Sequence, residues 1–282
     1  MKNSRQRHTV LTTSYKANAT QFWHRVKPTF ADDPYLRQRD FFSPGRHDPR
    51  VAIVGAGGIG SWVAVQLAKL GVMHITVFDH DRVAPHNLST TVYRPSDIGK
   101  PKVLALAQTI RRLGLPARID ARPVLYRGQS LRKFDIVISA VDSMAGRTQL
   151  FREAKRQRVP FYIDGRIGGE NLRVYAVRPS RRKDARLYRA TIVPDDQASE
   201  LPCTAQQIFD TNGMTSSLIV RAVRKWTVER VYTPELITTM QTLQFVVAPP
   251  QGGKQHGIRK RTHAGIRASK TARDRKRDGP QD

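Results

Sequence analysis

The residue types that could do chemistry gather early in the chain. The run VAIVGAGGIG carries Gly55, Gly57, Gly58 and Gly60; Asp79, Asp81 and Lys102 follow, then Asp142, and much later the single cysteine, Cys203. In a Gly-x-Gly-Gly-x-Gly turn the first glycine permits a tight bend. The middle pair lets the backbone approach a phosphate, and the last lets the next helix pack on its strand. The amides at that helix N-terminus then face the phosphates. Asp79 stands about 20 residues on, the spacing of an acid that holds ribose hydroxyls. This fingerprint does not separate NAD, FAD and ATP, but the further acids favour ATP. Asp79, Asp81 and Asp142 all fall at or just beyond strand ends, where converging carboxylates could hold a ribose and a magnesium ion. Magnesium takes few carboxylates, with phosphate oxygens and water completing its shell. Lys102, near a first helical turn, reaches phosphates as a point charge. His80 and His86 flank Asp81 and are further ligand types, without a third soft ligand nearby.

Those residues need a frame. Val51 to Val54 reads as a buried strand and residues 59–70 as the helix after the turn. Residues 75–78 form the strand ending at Asp79. Residues 101–113 form a helix with Val103, Leu106, Ala107, Ile110 and Leu113 in one stripe and Pro101 in its first turn. Residues 134–140 are a buried parallel strand ending at Asp142, 144–157 a helix, and 160–163 the next strand, ending at Asp164. Residues 172–177 alternate like a sheet-edge strand. A polar, basic loop spans 178–202, a helix 213–230 and a short strand 243–248. The β–α alternation defines an α/β fold with a doubly wound, Rossmann-like, mostly parallel sheet and ligands at the carboxyl ends of its strands. Residues 1–48 read as an N-terminal arm anchored by Phe22, Trp23, Phe30, Tyr35, Phe41 and Phe42. Residues 49–250 form the main domain, including a 178–204 crossover loop that carries the cysteine. Residues 251–282 form a basic tail expected to be disordered alone.

With 282 residues, the chain accommodates one large domain with tails. No apolar stretch approaches the 18–20 residues or so of a membrane span, and the polar start lacks a signal peptide's apolar core, so a cytoplasmic, membrane-free protein is expected. One cysteine excludes an internal disulfide and a CxxC zinc pair, so no zinc is expected. The net charge is +26, and residues 254–282 hold ten basic against three acidic residues. Such charge favours acidic partners, and nucleic-acid contact through the tail is possible, although the tail's basic residues are not interleaved with aromatics for base stacking.

VAIVGAGGIGSWVA, ITVFDHDRVAPHNL, YRPSDIGKPK, SAVDSMAGR and LPCT together resemble the ubiquitin-activating-enzyme superfamily, the ThiF/MoeB/HesA adenylyltransferases. The resemblance spans about residues 50–205. It implies adenylation of a carrier protein's C-terminal glycine by Mg-ATP, with a small ubiquitin-like (β-grasp) partner, a conjugating-type enzyme beside it and a homodimer. It places Gly55, Gly57, Gly58 and Gly60 on the phosphates, Asp79 on the ribose, Lys102 on the phosphates and Asp142 on magnesium. Arg147 belongs to the Asp142 motif, and Asn87 matches the family asparagine before leucine. Tyr35-Leu36-Arg37-Gln38 resembles the family's Tyr-x-Arg-Gln, which makes Arg37 the arginine serving the partner subunit's nucleotide, with Arg39 as the fallback. Cys203-Thr204 matches the Cys-Thr of the protein-conjugating branch, which implies a thioester on Cys203. A thiolate attacking an acyl-adenylate needs no strong base, because the leaving group is good. The polar setting of Cys203 is unlike that of a core cysteine.

Two departures stand out. After Asn87-Leu88 comes Ser89-Thr90-Thr91 where the family has Arg-Gln, leaving Arg94 to compensate, and the family's zinc-binding cysteine pairs are missing. The alternatives are an adenylyltransferase acting without a thioester on a peptide or tRNA-borne carboxylate, a nucleotide-binding scaffold, and an NAD-dependent oxidoreductase resting on the glycine turn alone.

Overall fold

The computed structural model describes residues 33–194 and 207–252. Its elements are β1 (Arg50–Val54), α1 (Gly58–Leu70), β2 (His74–Phe78), α2 (Lys102–Arg112), β3 (Arg118–Arg122), β4 (Ile136–Ser139), α3 (Met144–Arg156), β5 (Phe161–Gly168), β6 (Asn171–Val177), α4 (Arg182–Arg189), α5 (Phe209–Glu229), β7 (Val231–Tyr232), β8 (Glu235–Thr239) and β9 (Phe245–Val247). The main sheet has eight strands in the order β3-β2-β1-β4-β5-β6-β8-β9. Its first five strands are parallel and its last three antiparallel.

Strand alternation divides the core between the two faces. Val51 and Ile53 pack with α1, α2 and α5 through Val63, Leu67, Leu106, Ile110, Ile219 and Trp226. Ala52 and Val54 pack with α3 and α4 through Phe151, Ala154, Ala185 and Tyr188. The chain order reverses between β1 and β4, so the crevice of this sheet opens at their carboxyl ends. Of the N-terminal segment, Tyr35 and Phe42 are buried, and Gln38 Nε2 donates to Leu70 O (2.6 Å) at the far end of α1. Phe22, Trp23 and Phe30 lie outside the described residues. By compactness the chain divides after Gln251.

The structure corrects several expectations. The 178–202 segment is not all loop, because α4 occupies Arg182–Arg189. Its buried stripe includes the acid Asp184, which accepts from the Arg178 amide (3.0 Å) and the Tyr232 hydroxyl (2.6 Å), a face no apolar period reveals. β6 is not an edge, because β8 pairs with it. β3 was hidden by its charges: Asp120 pairs with Arg122 and Lys133 on an edge strand of sequence RIDAR. The strand expected at 243–248 is the shorter β9, and α5 begins at Phe209 rather than 213.

Candidate nucleotide site

The strand-to-helix turn after β1 is shaped by the chain around it. Gly55 has φ +99°, and a Cβ there would stand 2.3 Å from the Ala140 carbonyl oxygen at the end of β4. At Gly60 a Cβ would stand 1.9 Å from the Gly55 carbonyl, so both positions accept only glycine. Gly57 has open space where its Cβ would be. Gly58 does not: Gln207 Oε1 and Asn212 Nδ2, brought in by the start of α5, fill that volume at 2.2 and 2.7 Å. The close-approach role foreseen for the middle glycines is thus divided, with Gly57 facing open space and Gly58 admitting two of the protein's own amides. The α1 N-terminus has no side-chain cap and no acid in its first turn, which leaves its amides to an anion.

Ala56, inside the turn, is held from both sides. Its amide donates to Asp79 Oδ2 (2.6 Å), and its carbonyl accepts from the Tyr93 hydroxyl (2.6 Å). Burial, with the nearby Asp79 carboxylate, pushes the Tyr93 phenol well above its ordinary value, so it stays a donor. Asp79 Oδ1 accepts from the Asp81 amide (2.7 Å). Asp81 Oδ2 in turn takes the Lys102 ammonium at 2.7 Å, and that bond holds its carboxyl below the usual range despite partial burial. Lys102 is itself largely buried, which restricts the movement of its ammonium group. Asp79, His80 and Asp81 offer ligand atoms within 4.8 Å of one another. Both oxygens of Asp79 are engaged by amides, however, and Asp81 holds Lys102. His86 stands outside that group.

Asp142 contrasts with these acids. It is exposed beyond β4 and forms no ion pair among the described residues. A single uncommitted carboxylate fits a magnesium ion whose remaining ligands are phosphate oxygens and water. Arg147 is buried and donates to Val141 O, next to Asp142, to Gly165 O (3.1 Å) and to Asp164. Arg166 closes the group on Asp164 Oδ2 at 2.7 Å, and Tyr188 donates to the same oxygen at 3.0 Å. Burial pushes the Asp164 carboxyl up, but the two guanidinium charges overcome this and hold it low. Arg147 therefore anchors the loop that carries Asp142.

Asn87 organises its own loop: its Oδ1 accepts from the Ala84 amide (2.9 Å) and its carbonyl from the Thr91 hydroxyl (2.6 Å). Where the family has Arg-Gln, the Thr90 carbonyl accepts from Asn212 Nδ2 (3.2 Å) and Trp62 Nε1 (3.1 Å). Arg94 is exposed. Arg37 is exposed beside Gln38, at the end of α1 opposite the glycine turn, while Arg39 pairs with Asp33. Cys203 lies outside the described residues. Tyr93 and Asn212 carried no signal in the sequence, since each acts through a contact distant along the chain, and Asp164 was legible only as a strand end, not as the acid that Arg147 and Arg166 share.

A doubly wound sheet with a clamped glycine turn at its switch point defines a nucleotide-binding α/β protein. The chain belongs to the ThiF family, whose model matches residues 46–252. It is 28% identical over 129 residues to the tRNA threonylcarbamoyladenosine dehydratase of Escherichia coli, covering 44% of this chain and 48% of that one. It is 35% identical over 102 residues to the sulfur carrier protein adenylyltransferase of Thermus thermophilus, covering 34% and 38%. A third relative, ubiquitin-like modifier-activating enzyme 5 of Caenorhabditis briggsae, is 31% identical over 115 residues, covering 36% and 27%. The matches thus span less than half the length of these relatives. Among solved structures, E. coli MccB with ATP shares the fold at TM-score 0.54 and 17% identity, covering 74% of this chain and 64% of that one. MccB with selenomethionine MccA gives 0.59 and 16%, covering 80% and 73%. Among the described residues no helix is long and apolar enough to cross a membrane.

Proposed function

We propose that this chain adenylates the C-terminal carboxylate of a small ubiquitin-like or sulfur-carrier protein and then captures the acyl group on Cys203. The observation that supports the reading is a glycine turn open at Gly57, with the buried Lys102 linked to it through Asp81 and Asp79 and the uncommitted Asp142 beyond β4. The carrier carboxylate would attack the α-phosphorus of ATP, forming the acyl–phosphate bond as pyrophosphate leaves. The α1 amides and Lys102 would stabilise the charge that develops there. Asp142 would hold magnesium, which when bound neutralises phosphate charge. Asp79 supplies the ribose acid.

The Cys203 thiolate would attack the acyl carbonyl, forming the thioester and expelling AMP. Arg37 stands beyond the full length of α1, on the order of 20 Å from its own turn. It can serve a nucleotide only across a subunit boundary, which argues for a homodimer.

A second reading, adenylation without a thioester of a tRNA-borne carboxylate, is favoured by one surface. The solvent side of α4 carries Arg182, Lys183, Arg186 and Arg189 with no acid. Beside it, a cleft of about 450 Å³ is rimmed by Arg152, Lys155 and Arg189. Like charges three and four residues apart repel, so this face suits a polyanion. The deciding experiment is the intact mass of the protein after Mg-ATP and lysate of its own source, with and without reducing thiol. A thiol-labile small-protein adduct, lost in Cys203→Ala, is expected. No adduct, with adenylate formation on tRNA surviving Cys203→Ala and steeply salt-dependent, would favour the second reading. Unchanged pyrophosphate release in Asp142→Ala would overturn the metal role.

A further inference from the structure

Three charged side chains meet inside the protein where β4 and β5 lie side by side. Asp164 is wholly buried, and Arg166 and Arg147 are 4% and 6% exposed. Two guanidinium groups thus share one carboxylate. Arg147 by itself neutralises Asp164, and apolar residues of similar volume often serve stability as well as a buried ion group does. Neutralisation therefore leaves Arg166 unaccounted for.

The two arginines divide the carboxylate between them. Arg147 donates from one terminal nitrogen to Asp164 Oδ1 and Gly165 O, and from the other to Val141 O. Arg166 Nε donates to Asp164 Oδ2 (2.7 Å), which also accepts from the Tyr188 hydroxyl (3.0 Å). These two donors on Oδ2 fix the plane of the carboxylate and turn Oδ1 to Arg147. Arg166 is itself held: its terminal nitrogens donate to Thr191 O (2.8 Å) and Thr191 Oγ1 (3.1 Å), just past the end of α4. Its guanidinium lies 4.6 Å from the centre of the Tyr175 ring. At the other end of the chain of contacts, the Val141 carbonyl belongs to the peptide unit that joins Val141 to Asp142. Fixing that carbonyl restricts the backbone from which the Asp142 side chain projects.

We propose that Arg166 is a positioning residue for Asp142, acting through Asp164 and Arg147. The inference rests on the reading of Asp142 as the metal carboxylate. Lysine could not take this place, because it would keep the charge but lose the planar fork that reaches Asp164 and both oxygens of Thr191 at once.

The test is calorimetry of a non-hydrolysable ATP analogue binding to the full chain, with and without Mn2+, which takes the same hard oxygen ligands as magnesium. The proteins are wild type, Arg166→Lys, Tyr188→Phe, Asp142→Asn, and Asp142→Asn combined with Arg166→Lys. In wild type Mn2+ should tighten binding, and Asp142→Asn should abolish that gain. Arg166→Lys should reduce the gain about ten-fold while leaving metal-free affinity unchanged. Tyr188→Phe, which removes one donor from Oδ2, should reduce it by less. In the Asp142→Asn background Arg166→Lys should have no further effect, because both act on one group. A full gain in Arg166→Lys, an equal loss of metal-free affinity, or a further loss in the double variant would each overturn the proposal. If Arg166→Lys does not fold, a full gain in Tyr188→Phe overturns it instead. If Mn2+ does not tighten binding in wild type, or still does so in Asp142→Asn, the metal role of Asp142 fails and the positioning role falls with it. A gain lost in Asp142→Asn but intact in Arg166→Lys removes the positioning role alone.

Discussion

Replacing Lys102 by Ala would strip the site of its fixed cation and leave Asp81 without the partner that holds it ionised. Loss of one charge-stabilising group costs roughly 10²–10³ in kcat, so ATP–pyrophosphate exchange should fall by about that factor. Asp142→Ala should abolish exchange while leaving the melting temperature unchanged, because Asp142 forms no ion pair among the described residues. The acids also set a pH dependence. Asp97 is wholly buried, and burial pushes its carboxyl up, but the Lys100 ammonium (2.9 Å) and the Arg94 amide outweigh that and hold it low. Asp81 and Asp164 are held low as well. A carboxylate whose pKa is lower folded than unfolded stabilises the fold above its unfolded value, and that contribution is lost as pH falls through the folded value. Thermal stability should therefore be level near neutrality and decline below about pH 4, and Asp97→Asn should lessen the decline. Thermal scans across pH for both proteins would check this.

At the scale of elements, the glycine turn separates fold from binding. Gly60→Ala sets a Cβ against rigid backbone and should cost at least about 3 kcal/mol, measured by denaturant unfolding. Gly57→Ala meets nothing within 4 Å and should leave stability unchanged while weakening ATP binding by calorimetry; undiminished affinity would remove Gly57 from the phosphate site. Arg147→Met takes one guanidinium from the buried Asp164, a loss of about 3–5 kcal/mol for a broken buried pair. The parallel strands β1, β2, β4 and β5 were legible in the sequence because they are largely buried, as at Val51 to Val54, and the turn after β1 carries two glycines, Gly55 and Gly60, that nothing else can replace. β3 and α4 were not, because paired charges and a buried aspartate break the apolar period. Nor could spacing show that Gln207 and Asn212 fill the volume over Gly58, some 150 residues away along the chain. Asp79 and Lys102 were legible as site residues; the hydrogen bonds that link them through Asp81 were not.

For the whole molecule, charge is the dominant property. Residues 254–282 contribute ten basic and three acidic residues, seven of the +26 net charges. Deleting them should lower nonspecific nucleic-acid affinity and flatten its salt dependence while sparing pyrophosphate exchange, as fluorescence anisotropy over a salt series would show. A salt slope unchanged by the deletion would move that contact onto the body, where α4 is the basic face. The clamp on Ala56 acts at this scale as well. With its amide on Asp79 and its carbonyl on Tyr93, Ala56 is held on both sides by the protein's own groups. Its amide hydrogen should therefore exchange slowly with solvent deuterium before any nucleotide arrives. The turn would then lose little conformational entropy on binding, and ATP affinity would respond to the charges around the turn far more than to its flexibility.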